Sequence, residues 1–142
     1  MLGKSIGLLL FSLLFVVVFT SAFALTELER ATISDPRLVN AFGAPLFDNV
    51  NVNQQVQITA DITNKQDKSQ NFVYLVQIKD ENGFVVSLGW ISGQLTPSQK
   101  LSPSLSWMPR DEGEFTAEIF VWNALKNHSA LVEYAVLKIN VS

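Results

Sequence analysis

Side chains with chemical potential are few and scattered. The one histidine, His128, sits in the polar stretch Asn127-His128-Ser129. Nucleophilic catalysis needs a base held beside a nucleophile, and no G-x-S-x-G, P-loop or H-E-x-x-H pattern supplies that pairing. Carboxylates gather twice, as Asp111, Glu112 and Glu114 and as Asp80 and Glu81. Paired carboxylates can cleave glycosidic bonds, but acidic residues beside Gly, Asn and Pro are the ordinary composition of turns. The chain is therefore read as non-enzymatic, with no catalytic residue and no cofactor. Calcium takes several oxygens from loops, and Asp48, Asn51 and Asn53 together with Asp111 and Glu112 would be its donors, although they match no calcium-loop pattern. The sequence has no cysteine, which excludes a disulfide framework, a thiolate metal site and a thiol nucleophile. Its 10 Lys+Arg against 13 Asp+Glu give a net charge of −3, the wrong sign for a surface that neutralises phosphates, so no nucleic acid is expected. Two N-x-[ST] sequons, at Asn127 and Asn140, are candidate glycosylation sites.

The elements that position these residues begin with an address. Met1 to Ser5 carries one positive charge, an apolar run follows from Ile6 to Phe19, and Ala22-Phe23-Ala24 is a small-residue cleavage site. That is the three-part secretory pattern, with cleavage expected after Ala24. The alternative is an uncleaved anchor, because Ile6 to Leu25 is about the 20 residues that cross a bilayer. Residues 1–24 are thus a signal peptide or anchor helix, 25–35 a linker or short helix ended by Asp35-Pro36, and 36–142 the folded domain. Both readings place that domain outside the cell.

From there the period is two. Gln55 to Asn64 sets Val56, Ile58, Ala60 and Ile62 on one face. Gln70 to Lys79 alternates Phe72, Tyr74, Val76 and Ile78 against Val73, Leu75, Gln77 and Lys79. Asp80-Glu81-Asn82-Gly83 is a hairpin turn answered by Phe84 to Leu88. Gly89 to Gln99 reads as a connection, and Leu101 to Trp107 as a weaker strand disturbed by Pro103. Glu114 to Trp122 and Leu131 to Val141 alternate again, and Leu38 to Phe42 could supply a first strand. About seven strands with turns between them predict an all-β, immunoglobulin-like antiparallel β-sandwich, preceded by the N-terminal apolar helix.

The segments VNQQVQITADITN, FVYLVQIKDENGFVVSLGWISGQLTPSQ, SPSLSWMP and GEFTAEIFVWNAL, with the last strand, resemble the immunoglobulin-like modules of prokaryotic, particularly archaeal, exported surface proteins. The resemblance implies adhesion, assembly or spacing without catalysis. Ser98 stands where such modules usually have glycine.

The strand phases also order the outer face. With Gln70–Lys79 antiparallel to Glu114–Trp122 and the last strand flanking the latter, Val73 and Leu75 fall beside Trp122, Phe120, Tyr134 and Val136. Gln77 and Lys79 fall beside Glu118, Thr116 and Lys138. One end of that face is apolar and aromatic, the other carries opposite charges that cross-strand pairing favours. An exposed patch of Val73, Leu75, Phe120, Trp122, Tyr134 and Val136 would be an interface for a protein partner or a second copy. On this reading, replacing Phe120 and Trp122 with Ser removes binding and leaves the fold intact. The chain is then an exported cell-surface binding or assembly module, acting through this face or an edge strand. The alternatives are a membrane-anchored subunit of a surface filament or envelope complex (pilin-like or motor-anchoring), and a small carbohydrate-binding module with Trp122, Tyr134 and Trp90 as its platform.

Overall fold

A computed structural model describes residues 24–47 and 49–142. The expected signal or anchor segment up to Phe23, and Asp48, lie outside the described residues. Among the described residues there is no helix long and apolar enough to cross a membrane. The described residues form ten strand segments in order: β1 (Ala31–Val39), β2 (Pro45–Leu46), β3 (Asn49–Val50), β4 (Val56–Asn64), β5 (Gln70–Lys79), β6 (Val85–Leu95), β7 (Lys100–Leu101), β8 (Ser104–Trp107), β9 (Gly113–Trp122) and β10 (Ala135–Val141). Seven of them exceed two residues. They form two sheets. One has the order β2-β1-β4-β7 with β8 also on β4, the other β3-β10-β9-β5-β6.

The inward sets are those the alternation dictates. Val56, Ile58, Ala60 and Ile62 of one sheet bury completely against Tyr74, Ile78, Ala117, Ile119, Val121 and Ile139 of the other. Burial of such side chains contributes roughly 1.5–3 kcal/mol each, which lets the sandwich close without a disulfide. Tyr74 adds a polar stitch between the sheets, its hydroxyl donating to the Ile58 carbonyl at 3.1 Å. Burial pushes the pKa of that phenol up.

Three expectations change. The segment before Pro36 is not helical. β1 starts at Ala31 and carries Asp35-Pro36 within it, where the register against β4 shifts between Ser34 and Arg37. Asp35 takes φ 50° there, and this bulge absorbs the proline that alternation alone reads as a stop. Leu38 and Val39 finish β1, but Asn40 to Ala44 is a turn. In it the Asn40 side chain accepts from the backbone N–H groups of Phe42 and Ala44, both at 2.9 Å. The β5–β6 turn repeats this design, with Asp80 accepting from Asn82 and Phe84, both at 2.9 Å, and Gly83 at φ 84° closing it.

The third change is the largest. Gly89 to Leu95 is strand, not connection: β6 pairs with β5 from Val85↔Lys79 to Leu95↔Gln70. Gly93 lies opposite Phe72, and a Cβ there would stand 3.0 Å from the ring. The glycine marks a close approach within the strand. The weak strand at 101–107 divides into β7 and β8 around Pro103. Ser98 adopts φ 60° in the turn between β6 and β7, the conformation for which glycine is the ordinary choice.

Candidate functional site

The outer face of the β3-β10-β9-β5-β6 sheet assembles as the alternation requires. Val73 pairs with Trp122, Leu75 with Phe120, Gln77 with Glu118 and Lys79 with Thr116. On β10, Lys138 pairs with Thr116 and Val136 with Glu118. On β6, Trp90 pairs with Leu75 and Leu88 with Gln77. One row therefore crosses β6, β5 and β9 as Trp90, Leu75 and Phe120 and continues to Tyr134, just before β10, with the Phe120 and Tyr134 rings stacked at 5.2 Å. Trp122 tilts against Phe120 at 5.7 Å and against His128 at 5.6 Å.

All six residues named for this face lie on it, but they differ in exposure. Val73 and Leu75 are buried, at 4% and 6%. Leu75 is flanked by Trp90 and Phe120, and Val73 borders a groove of about 440 Å³ shared with Asn123, Ala124 and Leu125. Phe120 and Trp122 are half-buried over them. The side chains that meet solvent are Trp90 and Tyr134, each 50% exposed, and Val136 at the border with the charged half. A layer of apolar packing thus exists on the outside of the sheet, because the Phe120 and Trp122 rings of β9, with Tyr134 just before β10, lie beside the β5 side chains.

The charged half is closed by its own pairs. Lys79 bridges Glu118 at 2.8 Å, Gln77 donates to Glu118 at 3.1 Å, and Lys138 donates to Thr116 at 3.2 Å. The Lys79 ammonium holds the Glu118 carboxyl below its usual pKa.

Alternation does not reveal the edge. β6 has β5 on one side and, among the described residues, no strand on the other. It is the longest strand. No ionisable side chain occurs between Glu81 and Lys100, although edge strands ordinarily carry charge or proline to prevent pairing. Phe84, Val85, Val86, Leu88, Trp90 and Ile91 are all exposed along it. The absence of charge over that stretch was the available signal. Phe42, 94% exposed in the β1–β2 turn, was likewise hidden by reading that turn as strand, and Phe47, just after β2, is 88% exposed.

The remaining candidates separate in space. Asn127 and His128 are exposed in the loop after β9, while Asn140 is exposed on β10 opposite Glu114. The loop is fastened at its base by the Arg30 guanidinium, which donates to the Ser129 hydroxyl at 2.8 Å and to the Ala130 carbonyl at 3.1 Å. Of the calcium donors, Asn53 lies beside the turn leading to Asp111, its N–H donating to the Pro109 carbonyl at 2.7 Å. Among the described residues no three His, Asp or Glu side chains converge.

Two sheets, a buried apolar interior and this strand order define an immunoglobulin-like β-sandwich. No protein-family model matches the sequence, and no curated protein is similar to it. Solved structures are similar in fold. The C-terminal domain of wzt superposes with a TM-score of 0.67 at 13% identity, over 82% of this chain and 76% of that one. The CARDB domain of the PF1109 protein from Pyrococcus furiosus, solved in complex with di-metal ions, gives 0.54 at 19% identity, over 83% and 97%. A β-glucosidase from Erythrobacter marinus gives 0.55 at 11% identity, but this chain covers 15% of it. At such identities the likeness is one of fold.

Proposed function

We propose that the chain is an exported, non-catalytic module of the cell surface that binds or assembles through the apolar-aromatic end of its outer sheet face and the adjoining β6 edge. The observation that carries this reading is the row Trp90, Leu75, Phe120 and Tyr134, half-exposed at both ends and continuous with an edge strand that bears no charge. Amphipathic aromatic side chains of this kind anchor protein interfaces. Export rests on the Met1–Ala24 pattern. Should that segment remain attached, the module is a tethered subunit of an envelope assembly, and the same face then meets its neighbours.

Having no cysteine, the full chain is suited to a cross-linking test. Trp90→Cys and Tyr134→Cys chains, treated with a thiol-reactive cross-linker in the intact envelope, are expected to give species heavier than the chain. Ser106→Cys, exposed on the opposite sheet, is expected to give none. Absence of adducts from both outer-face positions would reject the reading.

A further inference from the structure

We infer that the occupant of the β6 edge is β6 of a second copy, paired antiparallel about a two-fold axis at Leu88. The inference rests on the reading of that edge as an interaction surface and specifies what fills it. Its ground is the order of residues along the strand. Around Leu88 the sequence is Val86-Ser87-Leu88-Gly89-Trp90. Reversed against itself, it sets Leu88 opposite Leu88, Ser87 opposite Gly89, and Val86 opposite Trp90. Small thus faces small and apolar faces apolar at every step, which is what the self-complementary patch of a two-fold interface requires. Moving the axis to Trp90 would place Leu88 opposite Ser92 and Val86 opposite Gln94, apolar against polar.

Two further observations agree. Because no ionisable side chain lies between Glu81 and Lys100, the pairing brings no like charges together. Leu88, 53% exposed, and Trp90 lie on the outer face, opposite Gln77 and Leu75. An axis through Leu88 therefore keeps both outer faces on the same side. The two five-stranded sheets become one continuous sheet, and the aromatic row of one copy meets the bulged end of the other copy's β6. The extra residue of the bulge between Ile78 and Lys79 in the β5 pairing is Val86, so the match rests on its centre, Ser87, Leu88 and Gly89. A single strand edge with a few flanking side chains falls at the small end of protein interfaces, below roughly 1,200 Å² in total, so the dimer is expected to depend on concentration.

The test uses the full chain in detergent micelles under mild oxidation. Antiparallel partners sit about 4.5–5.5 Å apart, within the range a disulfide spans. Leu88→Cys is expected to convert most of the chain to a disulfide-linked dimer. At position 92 the two copies would stand roughly 26 Å apart along the strands, so Ser92→Cys is expected to give less than about a tenth as much. Leu88→Lys, which opposes two ammonium groups on an exposed side of the strand, is expected to abolish the dimer in sedimentation while leaving the circular dichroism spectrum unchanged. A Leu88→Cys chain that stays monomeric overturns the inference. So does preferential linkage through Ser92→Cys, or a Leu88→Lys chain that sediments like the parent. If that happens while envelope adducts from Tyr134→Cys persist, the self-pairing is wrong and the binding module stands. If those adducts are missing as well, both fail.

Discussion

At the scale of single residues, two polar side chains carry structural roles that alternation cannot show. Asn64 is buried at the end of β4. Its amide nitrogen faces the carbonyls of Lys68, Leu95 and Thr96 at 2.9, 3.3 and 2.9 Å, and its amide oxygen accepts from the Gln66 N–H at 2.9 Å and the Gln70 amide at 2.6 Å. One side chain therefore ties the β4–β5 turn to the end of β6. Unpaired buried polar groups cost about 1–3 kcal/mol each, so Asn64→Ala is expected to lower unfolding free energy in urea by about 2–4 kcal/mol. Asn64→Asp, which turns a carboxylate oxygen toward three carbonyls, is expected to cost at least as much at pH 7 and to recover partly on acidification. Asp61 acts on the outward side of the same strand. It accepts from the Ser102 hydroxyl at 2.6 Å and lies 3.2 Å from Arg37 and 3.3 Å from Lys100. The Ser102 hydrogen bond first, then the two cations, lower its pKa to about 2 from 3.8. A depressed carboxyl pKa means the folded state holds the charged form more firmly than the unfolded chain does. Its contribution is therefore complete above about pH 4 and disappears as the pH falls toward 2. Replacing Asp61 with Asn is expected to flatten the stability profile over that window, as read by urea midpoints at successive pH values.

At the scale of elements, the strands the sequence revealed are those with one buried face and a clean period of two. β4, β5 and β9 fall where their alternation puts them, β10 does so from Ala135 although the expected strand began at Leu131, and the β5–β9 register follows because opposite charges and aromatic rings must align together. β6 was legible only to Leu88. Beyond it, Gly89 and Gly93 resemble punctuation, while their actual use is steric. The two glycines make a contrast that can be measured. A Cβ at Gly93 would press on Phe72, itself 3% exposed and unable to move aside, so Gly93→Ala is expected to cost about 1–2 kcal/mol. A Cβ at Gly89 would meet Leu105 at an ordinary 3.8 Å. There the loss of unfolded-chain freedom dominates, and Gly89→Ala is expected to be neutral or stabilising by up to about 1 kcal/mol. Thermal unfolding of the two variants side by side separates a strand glycine needed for packing from one that is merely tolerated.

At the scale of the whole molecule, the sandwich has two apolar layers, and the second explains which part of the candidate site was legible. Alternation places Val73, Leu75, Phe120, Trp122, Tyr134 and Val136 on one outer face, and the strand pairing, with the Phe120–Tyr134 stack, agrees. It does not say how far each ring leans over its neighbours, because that depends on side-chain packing across β6, β5, β9 and β10 together. Val73 and Leu75 are buried there as completely as many interior residues. This corrects the expectation that Phe120 and Trp122 can be removed without harm, since those rings roof over two buried aliphatic side chains. Full exposure of an aliphatic side chain costs roughly 1.5–3 kcal/mol, and the lost ring packing adds to it. The double variant Phe120→Ser, Trp122→Ser is therefore expected to lose about 3–6 kcal/mol, a large fraction of the stability of a domain this size. Trp90 and Tyr134 stand at the two ends of the row with half their surface already in water. Replacing both with Ser is expected to cost no more than about 2 kcal/mol while removing most of the aromatic area available to a partner. Urea unfolding of the two double variants orders the face from structural centre to accessible rim. Equal losses would mean that the rim belongs to the core, and the contact surface would then have to be sought along the β6 backbone alone.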